Sequence, residues 1–510
     1  MAAACTGDDP APTPAPTLTS APTATAQPQP SPAPATAEPT LPAAAARPGS
    51  GIEGGDPAFD ASALVWQGYW LSRDHFGPFV MASGMGIPFA PPMEMLQAAI
   101  QMVAQNPDDP VMLPQNMMPL QAIYASGGSD LLNDPRDFDP LDFEGLRLDP
   151  ASFDETVRVR GQAFTMLKES QWAHSFADSH FGAPDGDFGA QQRFMGVMVN
   201  MLAQMQGKYA MENLMGADGL YHDSDGALDY TANWVMLHTL SDIAGLAADG
   251  RYANPDMQPM FDNAATMLFQ ALSGRGPESA EEAAAAIRAL AYRASTTADD
   301  EVRAGALALA RSIVDEVLVG FASDDVVDNA AAIAGLISAA SVLDSDDAAA
   351  AAAGLFASLS EEFDAQHGVF TSKSTYSADD VAWIVGALNA LIQQGPADLE
   401  GPAMDMLLAF YESTMSLGGM QLSAPPGKNG AMAGEWEKSL PGVIYYHPVD
   451  TPPPPAVGKL TVPAAEIQWN GSGWDVTSDR FDSGGAMHLA NELNWLGPHL
   501  GSVMFPEVPG

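Results

Sequence analysis

Cysteine is almost absent from this chain of 510 residues, and the single one is Cys5. An internal disulfide needs two cysteines, so no disulfide stabilises the fold and nothing in it depends on an oxidising compartment. Haem attachment through a Cys-x-x-Cys-His motif is excluded for the same reason, as is any thiol nucleophile other than Cys5.

Basic residues are also scarce. The chain has 20 Lys and Arg against 64 Asp and Glu, which gives a net charge of −44. Nucleic acids and anionic lipids are bound through Lys and Arg that neutralise phosphates, so the charge excludes nucleic acid as a partner. Two interpretations of the acidity remain, a solvated surface or the attraction of cations and cationic partners.

Long apolar runs and several catalytic motifs are missing as well. No stretch approaches the roughly 20 uninterrupted apolar residues of a membrane span, so a membrane contact would come only through an attached lipid. The sequence has no Gly-rich phosphate loop and no Gly-x-Ser-x-Gly elbow. These absences remove the common nucleotide-binding and serine-hydrolase interpretations.

The N-terminal part consists of an isolated cysteine and a biased tract. Residues 6–50 are almost entirely Pro, Ala, Thr, Ser and Gln without an aromatic residue, a composition that predicts an extended tether. Cys5 follows Ala2-Ala3-Ala4, which resembles the processing site of a bacterial lipoprotein. The resemblance implies lipid attachment at Cys5 and an extracytoplasmic, membrane-anchored location in the periplasm or at the cell surface. It requires a signal segment upstream of Met1, and an incidental cysteine is the alternative.

A repeat of about 50 residues organises the central part of the chain. Four Ala- and Leu-rich helical segments begin near Asp229, Ser279, Val327 and Ala378. Each is followed by a second predicted helix, over 256–272, 300–319, 346–364 and 402–416. Two further helical hairpins are predicted at 154–180 with 187–213, and at Met93–Gln105 with Met117–Tyr124. Stacked hairpins are expected because one hairpin cannot bury its apolar face alone.

Two of the repeats also share a turn pattern. Gly219-Leu220-Tyr221 precedes a helix with Tyr230 and Trp234, and Gly368-Val369-Phe370 precedes a helix with Tyr376 and Trp383. Five or six such hairpins resemble the α/α toroid shared by many glycoside hydrolases, polysaccharide lyases and related sugar enzymes, and used by terpene-cyclase-like proteins. The resemblance covers about residues 90–420 and matches no single family's catalytic motif. It implies an all-α toroid, with an open α-solenoid as the alternative.

The predicted domain organisation follows from these segments. Residues 1–50 form the lipoprotein-like start and tether, residues 51–420 an aromatic-rich cap with the toroid, and residues 421–510 a loop-rich C-terminal segment. Within the last segment, the alternation around Asn470-Gly471 in Glu466–Val476 predicts a small β-hairpin. A closing helix is predicted over Gly485–Leu496.

In toroids of this kind the site lies in the loops that lead into the inner helices, and acidic residues stand in two of those loops. Asp223, Asp225 and Asp229 precede one Trp-bearing helix, and Asp379 and Asp380 begin another. They are candidates for general acid and base, and the first three for Ca²⁺, which takes several oxygen ligands. No other cofactor is predicted. Helix capping is the alternative role for both groups.

Aromatic side chains are the candidates for binding a glycan, because sugars stack on exposed rings. The candidate substrate-binding residues are Trp66, Tyr69, Trp70, Tyr230, Trp234, Tyr376, Trp383 and Trp436. The alternative for the Trp residues is a position in the core.

The histidines and methionines support weaker hypotheses. His488 stands four residues before Glu492 and shares a helical face with it, but no close trio of metal ligands is present. The 27 methionines could handle Cu(I) together with His75, although core filling is the simpler explanation.

Three functions remain open on the sequence. The first is a lipid-anchored toroid that binds or cleaves a glycan, as a glycoside hydrolase or polysaccharide lyase. The second is a non-enzymatic surface scaffold that binds a protein partner, favoured by the plain, Ala-rich middle repeats. The third is a metal-handling protein for copper or calcium.

Overall fold

The computed structural model describes residues 59, 61–103, 111, 113, 116–132, 144–177, 189–248, 252, 254–422, 459–494 and 496. Cys5, the tether and Trp436 lie outside the described residues, and so do the side chains of Trp66, Tyr69 and Trp70.

Six helices pack side by side into a closed inner ring. In ring order they are α3 (Val159–Ala177), α5 (Tyr230–Ala248), α7 (Ala280–Thr296), α9 (Val326–Leu343), α11 (Ala378–Gln394) and α13 (Ser483–Asn494). Each packs on the next, and α13 packs on both α11 and α3. Because the last helix returns to the first, the architecture is an α/α toroid and not an open solenoid.

Each inner helix carries one outer helix. The outer helices are α4 (Gly189–Asn213), α6 (Met257–Leu272), α8 (Asp300–Ile313), α10 (Asp346–Glu362), α12 (Glu400–Tyr411) and α1 (Ala61–Ala82). The first five pack on the inner helix that precedes them in the chain, whereas α1 packs on α13. The sixth hairpin therefore joins the two ends of the described chain.

The helices begin where the sequence supplies caps. The side chains of Ser279, Asp325 and Ser345 accept hydrogen bonds from the first-turn amides of α7, α9 and α10. Ser377 and Asp380 form a reciprocal capping box at the start of α11. Alanine on the inner helices permits close packing, and Gly335 of α9 lies against Ala284 of α7.

The structure also contains short strands and one further helix. β1 (Gly86–Pro88), β2 (Leu120–Gly127), β3 (Asp154–Val157) and β9 (Phe481–Asp482) form one antiparallel sheet, in which β2 pairs with the other three. β4 (Phe363–Asp364) pairs with β5 (Val369–Phe370), and β6 (Thr375–Ser377) pairs with β7 (Glu466–Trp469), which pairs with β8 (Trp474–Ser478). The remaining helix, α2 (Met93–Val103), packs on α4.

The structure confirms the predicted helical repeat and corrects the prediction for the segments that flank it. The four predicted hairpins of the central repeat are α5 to α12, and the predicted β-hairpin is β7 and β8 with a turn at residues 470–473. The helix predicted at Met117–Tyr124 is wrong, because Leu120–Gly127 is β2 and its backbone groups pair with strands far away in sequence. The aromatic segment near residues 60–90 contains α1, the outer helix of the sixth hairpin, and the closing helix α13 belongs to the inner ring.

Within the described ranges, one helix, α9, has the length and composition of a membrane span. Its most apolar window spans Val326–Leu343, and 72% of that window is buried inside the protein. This apolarity is what an inner helix needs, since it is surrounded by other helices.

Candidate active site

The beginnings of five inner helices meet at one end of the toroid, which we call the mouth. It is defined by Arg160 of α3, Asp229 before α5, Glu281 of α7, Asp379 of α11 and Asp482 before α13. Arg160 contacts the first three of these carboxylates directly, and Asp482 caps α13 by accepting a hydrogen bond from the amide of Gly485. The site therefore combines residues that lie more than 300 positions apart in the sequence.

Arg160 is the centre of this arrangement. Its Nη1 donates to Asp379 Oδ2 at 2.6 Å, its Nε lies 3.2 Å from Asp229 Oδ2, and its Nη2 lies 3.6 Å from Glu281 Oε2. The exposed fractions of the side chains are 22% for Arg160, 37% for Asp229, 28% for Glu281 and 19% for Asp379. One cation thus holds three partly accessible carboxylates around a single guanidinium.

A buried chain of ion pairs continues below Asp379. His488 Nδ1 lies 2.8 Å from Asp379 Oδ1, and His488 Nε2 lies 3.6 Å from Glu492 Oε1. Glu492 Oε1 accepts from Arg288 Nη1 at 2.5 Å. The His488 ring is fixed between Phe164, which stacks on it, and the edge of Trp383. Asp379 is therefore held from both sides in one orientation.

The carboxyl groups of the mouth differ in their pKa values. Burial by itself would raise the pKa of Asp379, but Arg160 and His488 outweigh it and hold that pKa well below its usual range. Burial, reinforced by the charge of Asp379, raises the pKa of Glu281. Burial also raises the pKa of Asp482. A carboxyl group with a raised pKa and another with a lowered pKa on the same guanidinium is a pattern that general acid and base catalysis uses.

Glycines make room for this charged cluster. A Cβ on Gly161 of α3 would collide with Ser483 Oγ of α13, and one on Gly485 would lie 2.9 Å from the Asp379 amide nitrogen. A Cβ on Gly386 would lie 2.5 Å from Glu492 Oε2. The glycines therefore bring α3, α11 and α13 close enough for their charged side chains to meet.

The structure brings two of the five predicted acidic residues together. Asp229 and Asp379 both contact Arg160, while the other three have separate partners. Asp223 Oδ1 accepts from the Val159 amide at 2.8 Å, and Asp225 Oδ1 accepts from the Ala227 amide at 3.1 Å in an exposed turn. Asp380 belongs to the capping box of α11 and lies 3.3 Å from Lys373 Nζ.

Four of the predicted aromatic side chains are described by the structure, and three of them are covered. Trp234 and Tyr376 are fully buried, and Trp383 is 2% exposed. The Trp234 indole nitrogen is directed toward Glu282, and the Tyr376 hydroxyl donates to the Lys373 carbonyl. Tyr230 is half-buried, with the Arg275 guanidinium 3.6 Å from its ring centre. Of these four, only Tyr230 has an accessible ring in this structure.

The residues proposed for metal binding do not converge. Among the residues that the structure describes, no three His, Cys, Asp or Glu side chains are grouped so as to hold a metal ion. Asp223, Asp225 and Asp229 contact the different partners given above. Calcium binding at this turn stays a prediction. For copper, His75 is buried and its pKa is lowered to about 3 by burial and by Lys168. Met81 and Met85 are buried, whereas Met93, Met95 and Met118 are exposed.

Sequence reasoning missed Arg160, Glu281 and Asp482 as site residues, and it treated His488 as a hydrogen-bonded residue without assigning it to the site. One signal was available, because an arginine near the start of an inner helix is unusual in a chain with 20 basic residues against 64 acidic ones. The Ser483-Gly484-Gly485 run at the start of α13 is a second signal of close helix approach.

Comparison with known proteins shows similarity to solved structures, and it is distant. No family model matches the chain, and no curated protein matches it in sequence. Among solved structures, the endoglucanase from the termite Nasutitermes takasagoensis at pH 2.5 is similar, with 10% identity and a TM-score of 0.44. The match covers 86% of this chain and 99% of that one. A similarity at this level carries no information about activity.

Proposed function

We propose that this chain hydrolyses glycosidic bonds and that the mouth of the toroid is the active site. The observation that carries the proposal is the raised pKa of Glu281 beside Asp379, whose pKa is lowered, with both side chains on one guanidinium. Glycoside hydrolysis uses one carboxyl group that gives a proton and another that is ionised.

The roles follow from exposure and contacts. Glu281 gives its proton to the oxygen of the leaving sugar as the glycosidic bond breaks. Asp229 is the most exposed of the three carboxylates and activates the attacking water, taking its proton. Asp379 is held by Arg160 and His488 and supplies a fixed negative charge near the oxocarbenium-like transition state. The water oxygen ends on the sugar, and the cycle closes when Asp229 releases the proton that it took and Glu281 gains one from solvent.

The test compares Glu281→Gln and Asp229→Asn with Glu278→Gln as a matched control. Glu278 is 84% exposed, precedes the N-cap of α7 and pairs with Arg275, which is not a mouth residue. The assay is release of reducing ends from a panel of neutral, acidic and amino-sugar polysaccharides. Each mouth variant should lose about 100-fold or more in kcat, as loss of a general acid or base does, when assayed well below its own thermal midpoint. Full activity in Glu281→Gln, or no hydrolysis by the wild type on any polymer, would count against the proposal.

A partner-binding scaffold is the second candidate, and the burial of Trp234, Tyr376 and Trp383 favours it. A glycan site normally offers exposed rings, whereas here three of the predicted rings belong to the core. In that case the Arg160 cluster would serve only to join the inner helices. A wild-type protein without hydrolytic activity that captures a defined envelope protein through the mouth would support this function.

We further propose that the toroid is anchored outside the cytoplasm by a lipid on Cys5, with residues 6–50 as the tether. The sequence context of Cys5 supports this location. Membrane fractionation of wild type and Cys5→Ala, both expressed behind a bacterial signal segment, tests it. Equal membrane association of the two proteins would remove the lipid anchor from the proposal. Metal analysis of the purified protein tests the copper and calcium alternative in the same preparation.

A further inference from the structure

Below the mouth, several polar side chains of the inner helices are buried inside the ring. α5 contributes His238 and Asp242, and α7 contributes Arg288 and Tyr292. His238 and Asp242 lie about 12 Å and 18 Å along α5 from its first residue, at 1.5 Å per residue. These four side chains are therefore in the interior of the toroid, far from the carboxylates of the mouth.

Three buried atoms of the His238, Asp242 and Tyr292 side chains have no hydrogen-bond partner within the part of the chain that the structure describes. They are Asp242 Oδ2, His238 Nε2 and the Tyr292 hydroxyl oxygen. Their side chains are all nine-tenths or more buried, with residue exposures of 2%, 3% and 5%. Buried polar atoms in folded proteins are almost always hydrogen-bonded to protein or to ordered water, so three in one place require an explanation.

The three atoms belong to one cluster. His238 and Asp242 stand one helical turn apart on α5, and the His238 and Tyr292 ring centres are 3.9 Å apart. Asp242 acts electrostatically on both His238 and Tyr292. Its other oxygen, Oδ1, is 2.8 Å from His174 Nε2. The Ser170 hydroxyl is also near this carboxylate, but it donates its proton to the Leu167 carbonyl at 3.0 Å, so Asp242 Oδ2 remains for a different partner.

We propose that Asp242, His238 and Tyr292 form a buried hydrated site inside the toroid, separate from the mouth, whose ligand is ordered water. The site offers a carboxylate acceptor, a hydroxyl group that donates or accepts, and an imidazole nitrogen. A water molecule needs two to four polar partners, and these three groups supply them. An apolar ligand would leave Asp242 Oδ2 unsatisfied, so the chemistry selects water or a hydroxyl group of similar size.

The cluster adjoins a partly exposed side chain that is not part of the mouth. His174 lies near the end of α3, its side chain is 24% exposed, and it pairs with Asp242. On the other side, Arg288 of the same region pairs with Glu492, which joins the chain of contacts to His488 and Asp379. The inference does not depend on the activity proposed for the mouth.

A structure of the wild-type protein from crystals tests the inference directly. Water density within about 3.2 Å of at least two of the three atoms is expected. Direct contacts between the three side chains, or a dry gap between them, would overturn the proposal.

A pair of tyrosine variants provides the independent measurement. Tyr292→Phe removes a hydroxyl from the cluster, whereas Tyr411→Phe removes an equally buried hydroxyl that also has no partner but is not in the cluster. If water links Tyr292 to Asp242, Tyr292→Phe lowers the thermal midpoint by about 2 °C or more, while Tyr411→Phe leaves it unchanged or raises it. Equal behaviour of the two variants would contradict the hydrated site.

Discussion

Arg160→Met is the substitution that most directly tests how the mouth is held together. Methionine retains the length of the side chain and removes the charge that Asp229, Glu281 and Asp379 share. The three carboxylates then face one another without the cation that they shared. We expect the folded state to lose stability, because these groups cannot all stay ionised without cost.

The size of the expected loss in stability follows from how far the Arg160 side chain is exposed to water. Removing one partner of a buried ion pair costs about 3 to 5 kcal/mol, whereas exposed pairs contribute about 0 to 1 kcal/mol. Arg160 is 22% exposed, so water screens part of the interaction. We therefore expect the free energy of unfolding to fall by about 2 to 3 kcal/mol at pH 7.

The pH dependence has a definite sign. In the wild type the folded-state pKa of Asp379 lies below its unfolded value, so its stabilising contribution is intact above that unfolded value, about pH 4. In Arg160→Met the carboxylates repel one another, so their folded-state pKa values rise above the unfolded ones. The folded variant then binds protons more readily than the unfolded variant does. Its loss of stability relative to the wild type should therefore shrink as the pH falls from 7 to 5.

The assay is urea unfolding of both proteins at pH 7 and pH 5, at one ionic strength, with the slope of the transition checked for constancy. Lys208→Met is the control, because Lys208 is 48% exposed and its pair with Glu212 lies on the surface of α4. It should change stability by less than about 0.5 kcal/mol. A loss in Arg160→Met no larger than the control, or one that is the same at both pH values, would refute the proposed cluster.

Two further substitutions address the charged interior. Lys168 is fully buried and burial lowers its pKa, so Lys168→Met should raise the free energy of unfolding by about 1 to 3 kcal/mol. The pKa of Lys168 is lower in the folded state than in the unfolded state, so the gain in the free energy of unfolding should be larger at pH 6 than at pH 9. A gain that does not depend on pH in urea unfolding would contradict this reasoning. Gly386→Ala places a methyl group 2.5 Å from Glu492 Oε2 and should cost about 1 to 3 kcal/mol. Its control, Gly354→Ala on α10, has open space around it and should stabilise by about 0.5 to 1 kcal/mol, and equal effects of the two in thermal unfolding would rule out the collision.

The helices of the repeat could be predicted because their signals are local. Ser279 and Ser377 are caps with apolar segments directly behind them, and the helices begin within a residue of those positions. The segment at Leu120–Gly127 shows the limit of this reasoning. Its conformation is decided by pairing with Gly86–Pro88 and Asp154–Val157, and no local pattern reports which distant strands are available.

The candidate site was predictable only in part. The sequence indicates that acidic residues such as Asp229 and Asp379 stand where inner helices begin, and the structure brings these two onto one guanidinium. The same pattern suggested Asp225, whose side chain closes a local turn. Periodicity gives the position of a residue along a helix, but only packing decides which side of the helix faces the axis and which cation it meets there.

By itself, the sequence determined the helical class, the hairpin period and the acidity of the chain, because these follow from composition and from contacts within a few residues. Tertiary structure alone decided that α13 closes the ring onto α3, that Arg160 collects three carboxylates, and that Trp234 lies in the core. The physical reason is that the side chains of the Arg160 cluster and of Trp234 are partly or fully buried against other parts of the protein. Their ionisation and orientation depend on neighbours brought together by chain closure, and those neighbours have no fixed spacing in the sequence.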